Sequence, residues 1–290
     1  MVSLFGIEVS NNLVYVVLFV VFVFTLVSSQ NVWDKVLQVL FITIGMLMLC
    51  FPSCCHTIVQ HSDTDPTQVH TYLVMASGAT LLCYATPLLL VGCTNTHVKN
   101  SLSFSRVLGF GTTGMVFVHA AVMDQFKNPG FPIMACLIGV LLFGEVLHMS
   151  KFTEQAYVPG RTKVACLMIC ASLGFLFGAF LFAFPDLYLS FSISSEVDDA
   201  LLFYTRLFGS LSGGISISCA CAVYFNGNDQ NSVIAATIIT QAAYVLLAIY
   251  HHTQFSVFQT TGHIVDTTVH AFMLVNLVFG YMGDGSQKQE

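Results

Sequence analysis

Charge is what this chain has least of. Asp, Glu, Lys and Arg together make up 8% of its 290 residues, where a soluble domain carries roughly a quarter. Hydrophobic residues make up 56%, and no soluble fold of this length can hide so much apolar surface. Also missing are a phosphate-binding glycine loop, a serine-nucleophile motif and a dinucleotide fingerprint, so no cofactor is expected. No basic stretch offsets the net charge of −6, which excludes a nucleic-acid partner. Asn-x-Ser/Thr does not occur, and no segment between apolar runs is long enough for a soluble catalytic domain. The ten cysteines form no disulfide framework, since most sit in apolar runs and Cys54 and Cys55 are adjacent. No Lys or Arg precedes the first apolar run, which reads as a helix that stays rather than a signal or transit peptide.

What is there is long apolar runs. A membrane span needs roughly 20 apolar residues, and in lipid only helices or closed barrels satisfy the backbone. These runs far exceed the roughly 10-residue alternating strands of a barrel. Nine stand out, at roughly 12–28, 36–51, 71–93, 103–123, 131–149, 163–184, 200–225, 232–254 and 261–282. Turn chemistry separates them at Asp63-Thr64-Asp65-Pro66, Asn128-Pro129-Gly130, Pro159-Gly160 and Asn226-Gly227-Asn228-Asp229. The fold class is therefore all-α, a polytopic membrane bundle of about nine helices.

Basic residues orient it. With the N-terminus outside or lumenal, the inner segments hold Lys35, Lys99, Arg106, Lys151, Arg161, Lys163 and Lys288, and the outer ones only Lys127. That positive-inside bias predicts nine spans with a cytoplasmic C-terminus.

Laid side by side, the runs repeat. Phe51-Pro52 closes the second and Phe184-Pro185 the sixth, each followed by an acidic loop and a run opening on a tyrosine, Tyr72 or Tyr204. Asn100-Ser101 and Asn231-Ser232 continue the match at an offset near ~130 residues. The reading is an N-terminal helix (1–30), a first four-helix unit (31–150) and a second with a short polar tail (151–290), the two units in the same orientation. The second unit reads Phe203-Tyr204-Thr205-Arg206-Leu207-Phe208-Gly209 after its Phe-Pro and acidic loop. Over residues 163–282 it resembles the DoxX-like small four-helix membrane proteins, where a helix often opens on Arg-x-x-Gly. The resemblance implies a four-helix unit and no particular activity. The first unit has no arginine at the matching position.

Polar residues inside spans mark candidate sites. His263, Asp266 and His270 share one face of the last run, His251 and His252 end the eighth, and Arg206 lies about two turns into the seventh. Three readings stay open. Arg206 and Asp266 form a buried ion pair, with the histidines on nearby carbonyls. Alternatively, Arg206, His251, His252, His263, Asp266 and His270 line a polar pocket for a lipid-like molecule, a proton or an ion. Or the histidines and Asp266 hold a metal, although no standard spacing is present. Toward the inner face, Arg106 and Glu145 form a second ion-pair candidate. His119 reads as a satisfied interior histidine. The segment with Cys54, Cys55, His56, His61, Asp63, Asp65 and His70 reads as a polar loop more than a metal tract. Gly174-x-x-x-Gly178 and Gly209-x-x-x-Gly213 are close-packing faces, which also allow homo- or hetero-oligomers.

The expected function is a non-enzymatic binding, scaffolding or transport protein. Its partner is the lipid bilayer, and its polar pocket lies in the outer half of the last three runs. The alternative is an intramembrane metal-dependent enzyme using His263, Asp266 and His270.

Overall fold

A computed structural model describes residues 2–4, 7–9, 20–25, 27–59, 66–90, 96–123, 130–149, 161–194, 196–255, 258 and 260–283. Two short strands, β1 (Val2–Leu4) and β2 (Ile7–Val9), pair antiparallel, a feature absent from the sequence reading. Among the described residues the remaining named elements are helices, beside one isolated bridge between Ile193 and Phe258: α1 (Gln30–Cys50), α2 (Pro52–Val59), α3 (Gln68–Leu90), α4 (Thr96–Val122), α5 (Gly130–His148), α6 (Arg161–Ala183), α7 (Pro185–Ser192), α8 (Asp199–Ala222), α9 (Gly227–Gln254) and α10 (Thr260–Met282). The second to ninth apolar runs correspond to α1, α3, α4, α5, α6, α8, α9 and α10. Of the first run, residues 20–25 and 27 are described as helical.

Among the described residues, 6 helices are long and apolar enough to cross a membrane: α1, α3, α5, α6, α9 and α10. α4 and α8 are comparably long but carry Lys99, Arg106, Asp199 and Arg206. Large apolar side chains such as Met115, Val118, Leu176, Leu246, Val275 and Phe279 are exposed. Polar side chains such as Arg106, Glu145, Asp266 and His270 are buried. That inversion suits a helical protein whose solvent is lipid.

α3 and α8 pack together at the centre. Each reaches across to the helix that follows the other, α3 to α9 and α8 to α4. α1 packs on α3 as α6 packs on α8, and α5 packs on α4 as α10 packs on α9. Local geometry matches as well. α1 ends at Phe51 (φ −134, ψ 55) and α6 at Phe184 (φ −129, ψ 53). Each phenylalanine precedes an eight-residue helix opening on proline, where the missing N–H costs nothing.

Glycine sets two of these contacts. A Cβ on Gly78 would stand 2.8 Å from the Gly45 carbonyl oxygen, and one on Gly209 would stand 2.7 Å from the Gly178 carbonyl oxygen. Neither backbone can retreat without unpacking a helix pair. Gly209→Ala is therefore expected to destabilise the protein by about 1–3 kcal/mol through overpacking. Thermal unfolding in mild detergent would measure it, and an unchanged midpoint would show that α6 and α8 are not held in this contact. A Cβ on Gly111 or Gly213 would meet open space, although the Gly213 backbone itself lies against Gly178.

Candidate functional site

α3, α9 and α10 bring one polar cluster together at the end of the bundle where α3 and α10 begin. Tyr72 O–H donates to Asp266 Oδ2 at 3.0 Å. Asp266 Oδ1 lies 3.5 Å from His270 Nε2, one helical turn on. On its other side, His270 Nδ1 is 2.7 Å from Gln241 Oε1 of α9. Asp266 and His270 are each only 2% exposed. Tyr188 of α7 is a second phenol beside the same carboxylate. Since an amide oxygen only accepts, Nδ1 carries a hydrogen. Nε2 then faces Asp266 Oδ1, and without a proton between them two lone pairs would oppose each other.

The other candidate residues are placed differently. Arg206 is half-buried and makes no ion pair with Asp266, nor with Asp199, among the described residues. This corrects the pairing read from the sequence: matching depth along two helices does not make their faces meet, and Asp266 is turned toward Tyr72 and His270. His263 Nε2 bonds the Ala248 carbonyl at 2.8 Å, and its ring stacks on His252 at 5.3 Å. His263 is thus committed away from Asp266 and His270, and among the described residues no three metal-ligating groups converge. The metal reading that the sequence left open gains no support from this geometry. His251 is buried edge-on to Tyr72, with no hydrogen-bond partner for either ring nitrogen among the described residues. His119 is exposed rather than interior, on a face of α4 that Met115 and Val118 also leave uncovered.

At the same end lies a group the sequence reading left unjoined. His70 Nε2 is 3.1 Å from Asp198 Oδ1, and the His56 ring lies 4.8 Å from that of His70. Asp198 also caps α8 by accepting from Leu201 N–H at 2.8 Å. Burial raises the Asp198 pKa, but the hydrogen bonds from His70 and the Leu201 amide outweigh it and hold the carboxyl below its usual value. Burial first, then the facing His70, push His56 down to about 4 against the pull of Asp198. Between pH 6.5 and about 4 the unfolded chain binds a proton at His56 that the folded chain refuses, so stability falls as pH drops through that window. His56→Gln is expected to flatten this dependence in detergent unfolding followed from pH 7 to 4.5. An unaltered slope would place the titration elsewhere. His61, Asp63 and Asp65 lie outside the described residues.

The opposite end holds a charged group. Arg106 Nε donates to Glu145 Oε1 at 2.8 Å, and its terminal nitrogen donates to Asp34 Oδ1 at 3.1 Å and to Ser103 Oγ at 2.9 Å. Arg106 and Glu145 are 1% and 0% exposed. The arginine–glutamate pair read from the sequence is present, with Asp34 as a third member that the reading did not include. Lys99, also buried, bonds Asn31 beside them.

Small polar side chains connect the two ends. A cavity of about 20 Å³ is lined by His270, Gln241, Tyr244, Thr240, Ser212 and Ser216, among others, room for one water. Thr237 and Ile215 are shared with a second cavity of about 10 Å³, which Ser105, Ser218 and Arg106 also line. The Ser105 and Ser218 hydroxyls are 2.6 Å apart. The Thr237 and Thr240 hydroxyls donate within α9, to the Val233 and Ala236 carbonyls.

Residues 35–282 match the model of one family, described as "Domain of unknown function (DUF8292)". No curated protein and no solved structure matches the chain.

Proposed function

We infer, for a chain that belongs to the DUF8292 family and takes no activity from that membership, a non-enzymatic membrane protein that binds and relays a proton. One observation carries this reading: Asp266 Oδ1 and His270 Nε2 face each other, buried, at 3.5 Å. Neither atom has another hydrogen-bond partner among the described residues, so a proton taken up between them would serve both. Buried Asp, Glu and His chains within membranes commonly serve as proton relays. From Gln241 the seam of hydroxyls and one water-sized cavity leads toward Ser105, Ser218 and the Arg106–Glu145–Asp34 group.

The test is reconstitution. Full-length protein in liposomes loaded with a pH-sensitive dye is expected to collapse an imposed pH gradient, and Asp266→Asn is expected to slow the protein-dependent collapse by about a hundredfold. Equal rates for wild type, Asp266→Asn and empty liposomes would dismiss the reading.

The wider architecture belongs to the same proposal. Nine spans run from an outer N-terminus to a cytoplasmic C-terminus, which the asymmetry of Lys and Arg supports. Units 31–150 and 151–290 are parallel repeats, supported by the paired Phe-Pro helix breaks, the Gly45–Gly78 and Gly178–Gly209 approaches, and the reciprocal packing of α3 on α9 and α8 on α4. Each unit is then a four-helix module of the kind that the likeness of residues 163–282 to DoxX-like proteins implies. Tag-accessibility mapping that places both termini on one side would end the topology.

A further inference from the structure

An apolar cavity lies away from the proton site, in the other half of the bundle. It has a volume of about 260 Å³ and is enclosed by α1, α2, α3, α4, α5 and α8. Phe41, Ile44, Leu137, Ile138, Leu207 and Leu211 give its character. Engineered apolar cavities of roughly 150 Å³ stay dry and take up benzene, so this one is larger than a packing defect. It is also elongated. Its lining runs from Met134 to Leu141 on α5, from Phe41 to Met48 on α1 and from Val74 to Leu81 on α3. Seven residues at about 1.5 Å each make a depth of about 10 Å.

Its polar atoms are few. The Thr113 hydroxyl is already paired with Ser210 at 2.8 Å. Tyr204, which lines the cavity beside Cys55, is 2% exposed, and its hydroxyl has no hydrogen-bond partner among the described residues. Tyr72, at the corresponding point of α3, donates to Asp266. One tyrosine therefore has an acceptor supplied by the protein, and its counterpart, which lines an apolar hollow, has none among the described residues. A buried hydroxyl left unpaired costs about 1–3 kcal/mol, so the occupant should bring an acceptor.

We propose that this cavity seats the hydrocarbon chain of a neutral acyl ester, a membrane lipid, whose carbonyl accepts from Tyr204 while the chain lies between α1 and α5. α1 and α5 meet at the far end, where Trp33 packs against Gly144, and the cavity fills the wedge between them. The charge around Tyr204 selects against a free fatty acid. Asp198 lies near it as an anion and His56, beside it, is neutral near pH 7. A fatty carboxylate would therefore meet a carboxylate there. The proposal is independent of the proton reading, because none of the residues it uses contacts Asp266 or His270.

The experiment uses full-length protein in nanodiscs of phosphatidylcholine doped with a phosphatidylcholine that carries a mid-chain diazirine. After irradiation, cross-links are mapped by mass spectrometry. Label is expected on Leu137, Ile138 and Phe41, in excess over lipid-exposed residues such as Met115 and Phe272. Filling the cavity with Ile44→Phe and Ile138→Phe should reduce label at Leu137 and Phe41 severalfold, with Phe272 unchanged. Tyr204→Phe, which leaves the volume intact, should also reduce it; this arm stands if the filled variant does not fold. Label that follows lipid exposure alone, or cavity label unaffected by Tyr204→Phe, would overturn the proposal. So would competition by free palmitate as effective as competition by unlabelled phosphatidylcholine.

Discussion

Arg106→Met is expected to cost about 3–5 kcal/mol, the range for removing one partner from a buried ion pair. The side chain is roughly matched in bulk, so the loss is electrostatic. Asp34 Oδ1 and Glu145 Oε1 both take hydrogen bonds from the guanidinium, at 3.1 and 2.8 Å. Their second oxygens, Asp34 Oδ2 and Glu145 Oε2, have no hydrogen-bond partner among the described residues. Without the arginine, two carboxylates would face each other in a site that excludes water. Against a typical total stability of about 5–15 kcal/mol, that loss takes a large share of the folded population. Adding Asp34→Asn and Glu145→Gln to Arg106→Met should recover most of it, because neutral amides leave no unpaired charge. Chemical unfolding of wild type, Arg106→Met, the Asp34→Asn/Glu145→Gln double variant and the triple variant in mild detergent measures the cycle. A wild-type midpoint for Arg106→Met, or no recovery in the triple variant, would mean the group is not the electrostatic clasp its geometry describes.

Arg106 and Glu145 were legible as a pair because an isolated charge inside an apolar run must find a partner, and few are available. Asp34 was missed because it stands near the start of α1, where an acidic residue ordinarily faces water. The failure at Arg206 and Asp266 has a related cause. Helical rise fixes depth, but only packing fixes which face of α8 meets which face of α10. Tyr72 and Asp266 are 194 positions apart, and His70 and Asp198 are 128 apart. Nothing in a single sequence joins such residues. Helix positions were legible because each is one long apolar run. α2 and α7, at eight residues each, are too short to leave a comparable signature. Their proline starts were read as the ends of spans, which they also are.

His270→Gln is expected to slow proton movement as severely as Asp266→Asn, by about a hundredfold, the lower range for removing a positioned proton-transfer group. On the proposed reading the two groups share one proton across the 3.5 Å between Oδ1 and Nε2. Losing either therefore removes the whole exchange, and the double variant should be no slower than the worse single one. That non-additivity is the signature of groups acting as a unit. If Asp266 instead served only to anchor α10 to α3 through Tyr72, the two losses would be independent and would multiply. Tyr72→Phe separates the cases further. It removes a buried hydrogen bond and leaves Asp266 Oδ2 without its donor, which costs about 1–3 kcal/mol, but leaves the Asp266–His270 pair in place. It should therefore lower the unfolding midpoint while proton flux persists. The measurement is dye-reported flux in liposomes at matched protein content, with unfolding midpoints taken on the same preparations. Multiplicative losses, or a Tyr72→Phe variant that is stable but inactive, would move the functional centre from His270 to the tyrosine.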